Sequence, residues 1–178
     1  FASATEVPVN QILLNGQTVA FGTDLVFAYG ETVFGIEICE DLWVPQPPST
    51  QAALQGATLI FNLSATNELA GKNDYLRQLI CQQSARTHTG YIYASAGIGE
   101  SSTDLVYTGN GIIAENGQLV ATSARFKREA QLVVSEIDIE KLKAERLRNT
   151  NFFSERRAPG YRRIQADYQP IDFGTLSR

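Results

Sequence analysis

The stretch GIEICEDLWVPQPPS, residues 35–49, joins an apolar run to a proline-rich loop. The run that leads into it, TVFGIEIC at 32–39, is apolar at nearly every position, which is typical of a strand covered on both faces. Cys39 ends the run, and Glu40 and Asp41 follow directly. Strand ends in α/β folds border the crevice where ligands bind. The stretch therefore places a thiol at a candidate site, beside two carboxylates that oppose formation of its thiolate.

Around this stretch, apolar runs alternate with helical patterns, as in the α/β class. Strands are predicted over the four runs LVFAYG, TVFGIEIC, ATLIFNLS and YIYASAG, at 25–30, 32–39, 57–64 and 91–97. A helix over 51–57 is predicted to be capped by Ser49 or Thr50. A second helix over 75–88 is predicted to be capped by Asn73 or Asp74 and to end at Gly90.

Two Asn-Gly pairs, Asn15-Gly16 and Asn116-Gly117, lie between apolar arms and predict hairpins. The segment 131–139 alternates like a strand. Together these elements predict a mixed sheet with helices on one face and another sheet on the other.

The remainder of the chain divides near residue 148. IEKLKAERLR, at 139–148, is predicted to be a helix rich in opposite charges. From 149 to 178 the chain is polar and irregular, and we interpret it as a linker or docking tail. Its arginine cluster favours a solvated or domain-contact surface over a phosphate site. The chain contains no Met, which indicates a portion of a longer protein.

The composition restricts the possible partners. The 178 residues carry a net charge of −4, which argues against nucleic acid or an anionic membrane surface. No apolar run approaches the roughly 20 residues of a membrane span. Two cysteines without a CxxC pair predict no disulfide framework and no metal site, and favour a cytoplasmic protein.

Cys39 has two possible roles on this pattern alone. It is either a nucleophile at the crevice or a buried core cysteine, since Cys is among the most buried residue types. No activator is evident: His88 falls at a predicted helix end, Cys81 on an apolar helix face, and Lys72 in a loop. The polar residues Asn62 and Ser64, at the end of a buried strand, are interpreted as hydrogen-bonded structural residues.

Three motifs in order, GIEICEDLW, NLSATNE and GESSTDLVYTGNG, resemble the glutaminase domains of glutamine-dependent NAD synthetases, which are members of the nitrilase superfamily. The resemblance covers at least 1–148. It implies an α-β-β-α sandwich, which some schemes class as α+β. It also implies that 1–148 is a partial domain, lacking N-terminal strands and helices, and that 149–178 leads toward an absent synthetase domain.

The resemblance also implies a reaction. Cys39 matches the nucleophile that attacks the amide carbon of glutamine and forms a γ-glutamyl thioester. The backbone N–H of Glu40 belongs to the oxyanion hole, and Glu40 and Trp43 line the glutamine pocket. Thr66 and Lys72 match the residues that contact the α-amino and α-carboxylate groups. The relatives compared carry Ser and Arg at these two places, and Lys lacks the bidentate fork of Arg.

Parts of the family machinery are missing from the sequence. The catalytic Glu and Lys precede residue 1 by the resemblance, and no SGGxDS loop for ATP is present. ATP and Mg²⁺ are therefore expected in a separate domain, and no cofactor in this chain. We expect the chain alone to be inactive and Cys39 to have an ordinary or raised pKa, with slow alkylation by iodoacetamide. Missing strands are expected to expose sheet edge and apolar surface, which favours a homo-oligomer.

Two other functions remain open. The chain is either a non-catalytic nitrilase-like assembly module or part of a nitrilase-type amidase for small amides. NLSATNE argues for an amino-acid substrate, because it offers groups for both α-substituents.

Overall fold

The computed structural model describes residues 6–101, 103–152 and 160–166, which form nine strands and three α-helices. The strands, in chain order, are β1 Gln11–Leu14, β2 Gln17–Ala20, β3 Leu25–Tyr29, β4 Thr32–Ile38, β5 Leu59–Ser64, β6 Gly90–Ser95, β7 Gly111–Glu115, β8 Gln118–Thr122 and β9 Arg162–Gln165. The helices are α1 Pro48–Leu54, α2 Lys72–Thr87 and α3 Ile139–Arg148. None of these helices is long and apolar enough to cross a bilayer.

Seven strands form one mixed sheet in the order β8-β7-β6-β5-β4-β3-β9, and β1 pairs with β2 in a separate hairpin. The central strands β4, β5 and β6 are parallel, joined by crossovers through α1 and α2. Their carboxyl ends meet at one edge of the sheet, where Cys39 follows β4 and Thr66 lies two residues beyond β5. The α/β prediction is confirmed, and this edge positions the candidate site.

The helices α1 and α2 cover one face of the sheet. The buried core joins this face to α1 and α2 through Val26, Ala28, Val33, Leu42, Ala52, Ala57, Ile60, Leu76, Ile80, Tyr91, Tyr93, Ile112 and Ala114. Gly35 on β4 permits close approach of α1, because a Cβ there would lie 2.8 Å from the Cβ of Ala52. Such close packing of α1 on β4 fixes the path of the chain on both sides of Cys39.

The opposite face of the sheet is apolar and open. Ile36, Ile38 and Leu63, on the central strands, are 46%, 59% and 59% exposed. The sequence predicted a second sheet packed on this face. It also predicted that apolar surface would be exposed here if the strands of that second sheet were missing from the chain. The apolar surface is present in the described residues, while self-association stays a prediction.

Both hairpins are confirmed. Asn15 and Gly16, and likewise Asn116 and Gly117, have positive φ at both turn positions, between 46° and 89°. This geometry suits two-residue turns between right-twisted strands, and Asn and Gly tolerate it best.

The helix caps differ from the sequence predictions. α1 begins at Pro48 with Pro47 as its cap, and Ser49 lies in the first turn, where its backbone N–H donates to Glu37 Oε2. α2 begins after Gly71, which has a φ of 79°. Prolines preset the first turn of α1, and a left-handed glycine starts α2, so no hydroxyl or carboxyl cap was needed.

The end of α2 also differs from its prediction. The helix ends at Thr87 with His88 in the left-handed region, and Gly90 is the first residue of β6. A Cβ at Gly90 would lie 2.8 Å from side-chain atoms of both Ile137 and Leu59. This glycine therefore serves close packing in the sheet rather than the end of the helix.

The segment 131–139 was predicted to be a strand and does not pair in a sheet. Its alternation serves packing instead. Val133 lies against Gly111 and Ile137 against Gly90, while Leu132 and Val134 are 87% and 77% exposed. Alternation of apolar and polar residues shows which side chains face the core. An extended segment that packs on a sheet has this alternation even when it forms no backbone hydrogen bonds with a strand.

The C-terminal tail was predicted to be irregular, yet β9 within it extends the sheet alongside β3. Arg162 binds both carboxylate oxygens of Asp24, at 3.0 Å and 2.7 Å, and this hydrogen bonding lowers the pKa of Asp24. Of the predicted arginine cluster, Arg156 and Arg157 lie outside the described residues. The division of the chain near residue 148 stays a prediction, while helix α3 agrees with its predicted bounds.

Candidate functional site

A sharp bend presents the thiol of Cys39 at the carboxyl edge of the sheet. Cys39 has a φ of 50°, in the left-handed region, between β4 and a 3-10 turn over Cys39–Trp43. A non-glycine residue is rare in this conformation and is held there by its surroundings. The Asp41 carboxylate contributes, because its Oδ2 accepts the backbone N–H of Ile38 at 2.8 Å. The first N–H groups of such a turn, including that of Glu40, have no acceptor inside it.

A cavity of about 360 Å³ opens over this bend. Its lining includes the five residues singled out from the sequence, together with Val44, Ala65 and Asn67: Cys39, Glu40, Trp43, Thr66 and Lys72. The structure thus brings together side chains from the turn after β4, the loop after β5 and the start of α2. Within this lining, Lys72 is the only cation and Glu40 the only carboxylate.

Lys72 is held in a defined position at one side of the cavity. Its Nζ donates to Asn67 Oδ1 at 2.9 Å and lies 5.4 Å from the centre of the Trp43 ring. The Trp43 ring in turn contacts the Tyr75 ring, with the ring centres 5.5 Å apart. A lysine on an aromatic face keeps its charge available while its stem is ordered. Lys72 is therefore placed to bind an anionic group in the cavity.

Hydroxyl groups surround the sulfur of Cys39. Its Sγ lies 4.0 Å from Thr66 Oγ1, and Ser64 Oγ lies 2.7 Å from the same Thr66 oxygen. Burial raises the pKa of the Cys39 thiol, but hydrogen bonds from Ser64, the Ala65 backbone and Thr66 outweigh it and leave the pKa below its ordinary value.

The expectation of an ordinary or raised pKa for Cys39 was therefore wrong. Glu40 does raise the pKa of the thiol, as expected, but its effect is the smallest of those acting there. Asp41 is occupied by the backbone of the bend. Short-range hydrogen bonds to a thiolate outweigh one exposed carboxylate, whose field is screened by water.

The fold and this arrangement can be compared with known proteins. A family model described as carbon-nitrogen hydrolase matches residues 7–146. The chain belongs to the carbon-nitrogen hydrolase family. The resemblance inferred from the three sequence motifs is thereby confirmed.

Individual relatives of this carbon-nitrogen hydrolase chain include a glutamine-dependent NAD(+) synthetase from Mycobacterium tuberculosis, 44% identical over 165 residues. The match covers 91% of this chain and 24% of the relative, so the chain spans about a quarter of that protein. A crystal structure of a glutamine-dependent NAD(+) synthetase from Cytophaga hutchinsonii matches with 29% identity and a TM-score of 0.55, over 65% of this chain and 18% of that one. A nitrilase-superfamily protein from Saccharomyces cerevisiae shares the fold, with 21% identity, a TM-score of 0.57 and coverage of 71% and 44%.

Sequence reasoning missed two residues of the site. Asn67 holds Lys72, and Ser64, interpreted as merely structural, hydrogen-bonds toward the sulfur of Cys39. Both lie in the NLSATNE motif, whose polar residues at and just after the end of β5 were the available signal.

A buried carboxylate supports the strand that carries the nucleophile candidate. Glu37, on β4, is 2% exposed and accepts hydrogen bonds from the Ser49 backbone N–H and the Tyr91 hydroxyl. Burial, followed by the charge of Glu37, raises the pKa of Tyr91. Asn62 Nδ2 donates to the same Tyr91 hydroxyl at 3.1 Å, which confirms its hydrogen-bonded role. This cluster ties β4, β5, β6 and α1 together beneath the bend.

The other candidates lie away from the cavity. Cys81 on α2 is half-buried and packs against the core, as predicted. His88 ends α2, and its Nδ1 lies 2.9 Å from Asn116 Oδ1. Across residues 6–101, 103–152 and 160–166, no group of three or more His, Cys, Asp or Glu side chains is placed to hold a metal ion.

The two thiols are expected to differ in reactivity. Hydrogen bonding lowers the pKa of Cys39, whereas burial raises that of Cys81. Near neutral pH, Cys39 therefore has the larger thiolate fraction, and its alkylation declines only as the pH falls through the lowered pKa. We expect iodoacetamide to modify Cys39 faster than Cys81, since the rate of alkylation follows the thiolate fraction.

Mass spectrometry of the separated peptides measures both rates in one sample. In concentrated urea, where both thiols are exposed, the two rates are expected to converge. Equal rates in the folded protein would show that the hydroxyls do not activate Cys39.

Proposed function

We propose that this chain supplies the thiol half of a glutaminase site, within a glutamine-dependent NAD synthetase. The observation that carries the proposal is one cavity that combines the thiol of Cys39 with a cation, Lys72, and a hydroxyl, Thr66. Its volume of about 360 Å³ lies within the range of about 300–1,000 Å³ usual for small-molecule sites.

Each group has a role in the proposed binding of glutamine. Lys72 pairs with the α-carboxylate, and Thr66 accepts a hydrogen bond from the α-ammonium group. Trp43 covers the aliphatic part of the side chain, which places the amide carbon at the sulfur of Cys39. The backbone N–H of Glu40 is available to the amide oxygen as negative charge develops on it.

The proposed reaction has two steps. The sulfur of Cys39 attacks the amide carbon, the carbon–nitrogen bond breaks, and ammonia leaves with a proton as the γ-glutamyl thioester forms. Water then attacks the thioester, the carbon–sulfur bond breaks, and glutamate is released while a proton from the water restores the thiol. A glutamate outside this chain is assigned both the general base and the general acid role, and a lysine outside it is assigned to the oxyanion hole together with the backbone N–H of Glu40. We therefore expect no glutaminase activity from residues 1–178 alone.

The ammonia is proposed to be consumed in ATP-dependent amidation of deamido-NAD by another part of the protein. ATP and Mg²⁺ serve that part, and no residue of this chain is assigned to them. Glutamine and the rest of the polypeptide are thus the proposed partners, in a cytoplasmic homo-oligomer.

Substrate preference tests the proposal in the full-length protein. Lys72→Ala is expected to raise the KM for glutamine about tenfold or more, because a charge-assisted contact to the α-carboxylate is lost while the chemical step keeps its groups. Hydrolysis of simple aliphatic amides, which lack that carboxylate, is expected to be much slower than that of glutamine and insensitive to the substitution.

Lys143→Ala is the matched control, because Lys143 is a partly exposed lysine on α3 whose Nζ lies 4.0 Å from Glu31 Oε2, away from the lining of the cavity. Its KM for glutamine should equal that of the unmodified protein. Preference for aliphatic amides, with no change in KM for Lys72→Ala, would instead identify a small-amide amidase.

A further inference from the structure

A row of hydroxyl groups leads from the core of the sheet to the sulfur of Cys39. The Tyr93 hydroxyl donates to Ser64 Oγ at 3.0 Å, and Ser64 Oγ lies 2.7 Å from Thr66 Oγ1. Thr66 Oγ1 is 4.0 Å from the sulfur. The proposed reaction uses only the last of these hydroxyls, so the role of the first two is open.

The hydroxyls of the row are held in place by strands of the sheet. Tyr93 lies on β6 and is 1% exposed, and Ser64 is the last residue of β5. Ser64 is paired in register with Ser95, whose Oγ accepts the backbone N–H of Thr66 at 3.3 Å. The ends of two adjacent parallel strands therefore fix the three oxygen atoms relative to one another.

The hydrogen bonds in this row of hydroxyls can be assigned a donor and an acceptor at each step. Each hydroxyl has one proton to donate. Tyr93 donates to one lone pair of the Ser64 oxygen, which favours donation of the Ser64 proton across the 2.7 Å contact to Thr66 Oγ1 and leaves the Thr66 proton available to the sulfur. Without the Tyr93 donor, the Ser64 oxygen competes with the sulfur for the Thr66 proton. Hydrogen bonds in such a row also polarise one another.

We infer that Tyr93 and Ser64 are positioning residues, which turn the hydroxyl protons of the row toward the sulfur of Cys39 and so stabilise its thiolate. This inference rests on the proposed function in one respect, namely that the thiolate of Cys39 attacks glutamine. The lowered pKa of Cys39 is consistent with it: burial opposes the thiolate, and the hydrogen bond from Ser64 is the largest of the effects that favour it.

The pH dependence of Cys39 alkylation tests the inference in the full-length protein. Iodoacetamide rates are followed by peptide mass spectrometry from mildly acidic to alkaline pH. Tyr93→Phe is expected to lower the rate at neutral pH about three- to tenfold, the effect of one hydrogen bond on the thiolate population. The limiting rate at alkaline pH should not change, because the thiol is then fully ionised. A loss of packing alone would not shift the midpoint while preserving the plateau.

Tyr91→Phe is the matched control. Tyr91 is a buried tyrosine two residues earlier on the same strand, and its hydroxyl bonds to Glu37 and Asn62 rather than to the row. Its alkylation profile should match that of the unmodified protein.

Ser64→Ala provides an independent variant in case Tyr93→Phe fails to fold. It should shift the midpoint in the same direction, and the double variant with Tyr93→Phe should shift it no further than Ser64→Ala alone. A profile for either single variant that superimposes on the unmodified one, or additive shifts in the double variant, would overturn the inference. Continued use of glutamine after Cys39→Ala would instead overturn the proposed function, and the alkylation profiles would still decide the role of the row.

Discussion

Arg146→Met is expected to lower the free energy of unfolding of the chain by about 2–4 kcal/mol, the cost of leaving several buried carbonyl groups without a donor. Arg146, on α3, is 4% exposed and donates four hydrogen bonds to backbone carbonyl oxygens. These oxygens belong to Ala53 and Ala57, around the end of α1, and to Thr87 and His88, at the end of α2.

The charge of Arg146 is compatible with this burial. Burial lowers the pKa of Arg146 to about 10, so the guanidinium stays charged at neutral pH. The carboxyl ends of helices carry partial negative charge, which offsets the loss of water. Apolar replacements of buried ion pairs are often neutral because both charges are removed together. Here the carbonyls are backbone groups and remain, so the loss outweighs the gain in apolar burial.

Arg148→Met is the matched control for this substitution. Arg148 lies two residues further along α3, with its side chain 76% exposed and paired with Glu145. Its replacement should change stability by less than about 0.5 kcal/mol. Urea denaturation followed by circular dichroism measures both variants. Equal stabilities for the two would show that Arg146 does not join α3 to the other helices.

The second large effect concerns catalysis in the full-length protein. Cys39→Ala is expected to reduce glutamine-driven NAD synthesis by at least about a thousandfold, because covalent catalysis through the thioester is lost. Synthesis driven by added ammonia should continue at its usual rate, since that step is proposed to occur elsewhere. Comparison of the two rates in one preparation separates loss of the nucleophile from loss of folding.

Cys81→Ala is the control for removal of a thiol. Cys81 lies on α2, outside the lining of the cavity, and both rates should be nearly unchanged. If Cys39→Ala keeps its use of glutamine, the chain is better explained as a non-catalytic assembly module.

The strands and hairpins could be predicted because their signals are local. β4 and β5 are central strands and read as nearly continuous apolar runs, because one face packs on the helices and the other is the open apolar face. The Asn-Gly turns supply the positive φ that their geometry requires. The segment 131–139 shows the limit of such patterns, since its alternation reflects packing on Gly90 and Gly111.

The first residues of the helices and the pKa of the Cys39 thiol could not be predicted, because both depend on contacts with residues distant in the sequence. Ser49 was taken for a cap, but its N–H binds Glu37, twelve residues earlier. The pKa of Cys39 was judged from its sequence neighbours, whereas Ser64 and Thr66 lower it from 25 and 27 residues away. Local carboxylates were visible in the sequence, but the hydroxyls brought in by the parallel strands were not.

The proposed reaction depends most on the sulfur of Cys39, the group that attacks glutamine. The most direct test is to modify Cys39 progressively with iodoacetamide in the full-length protein and to measure ammonia release from glutamine at each degree of modification. We predict that activity falls in proportion to the modified fraction of Cys39, and that glutamine slows the modification. Undiminished release of ammonia from protein with Cys39 fully modified would contradict the account.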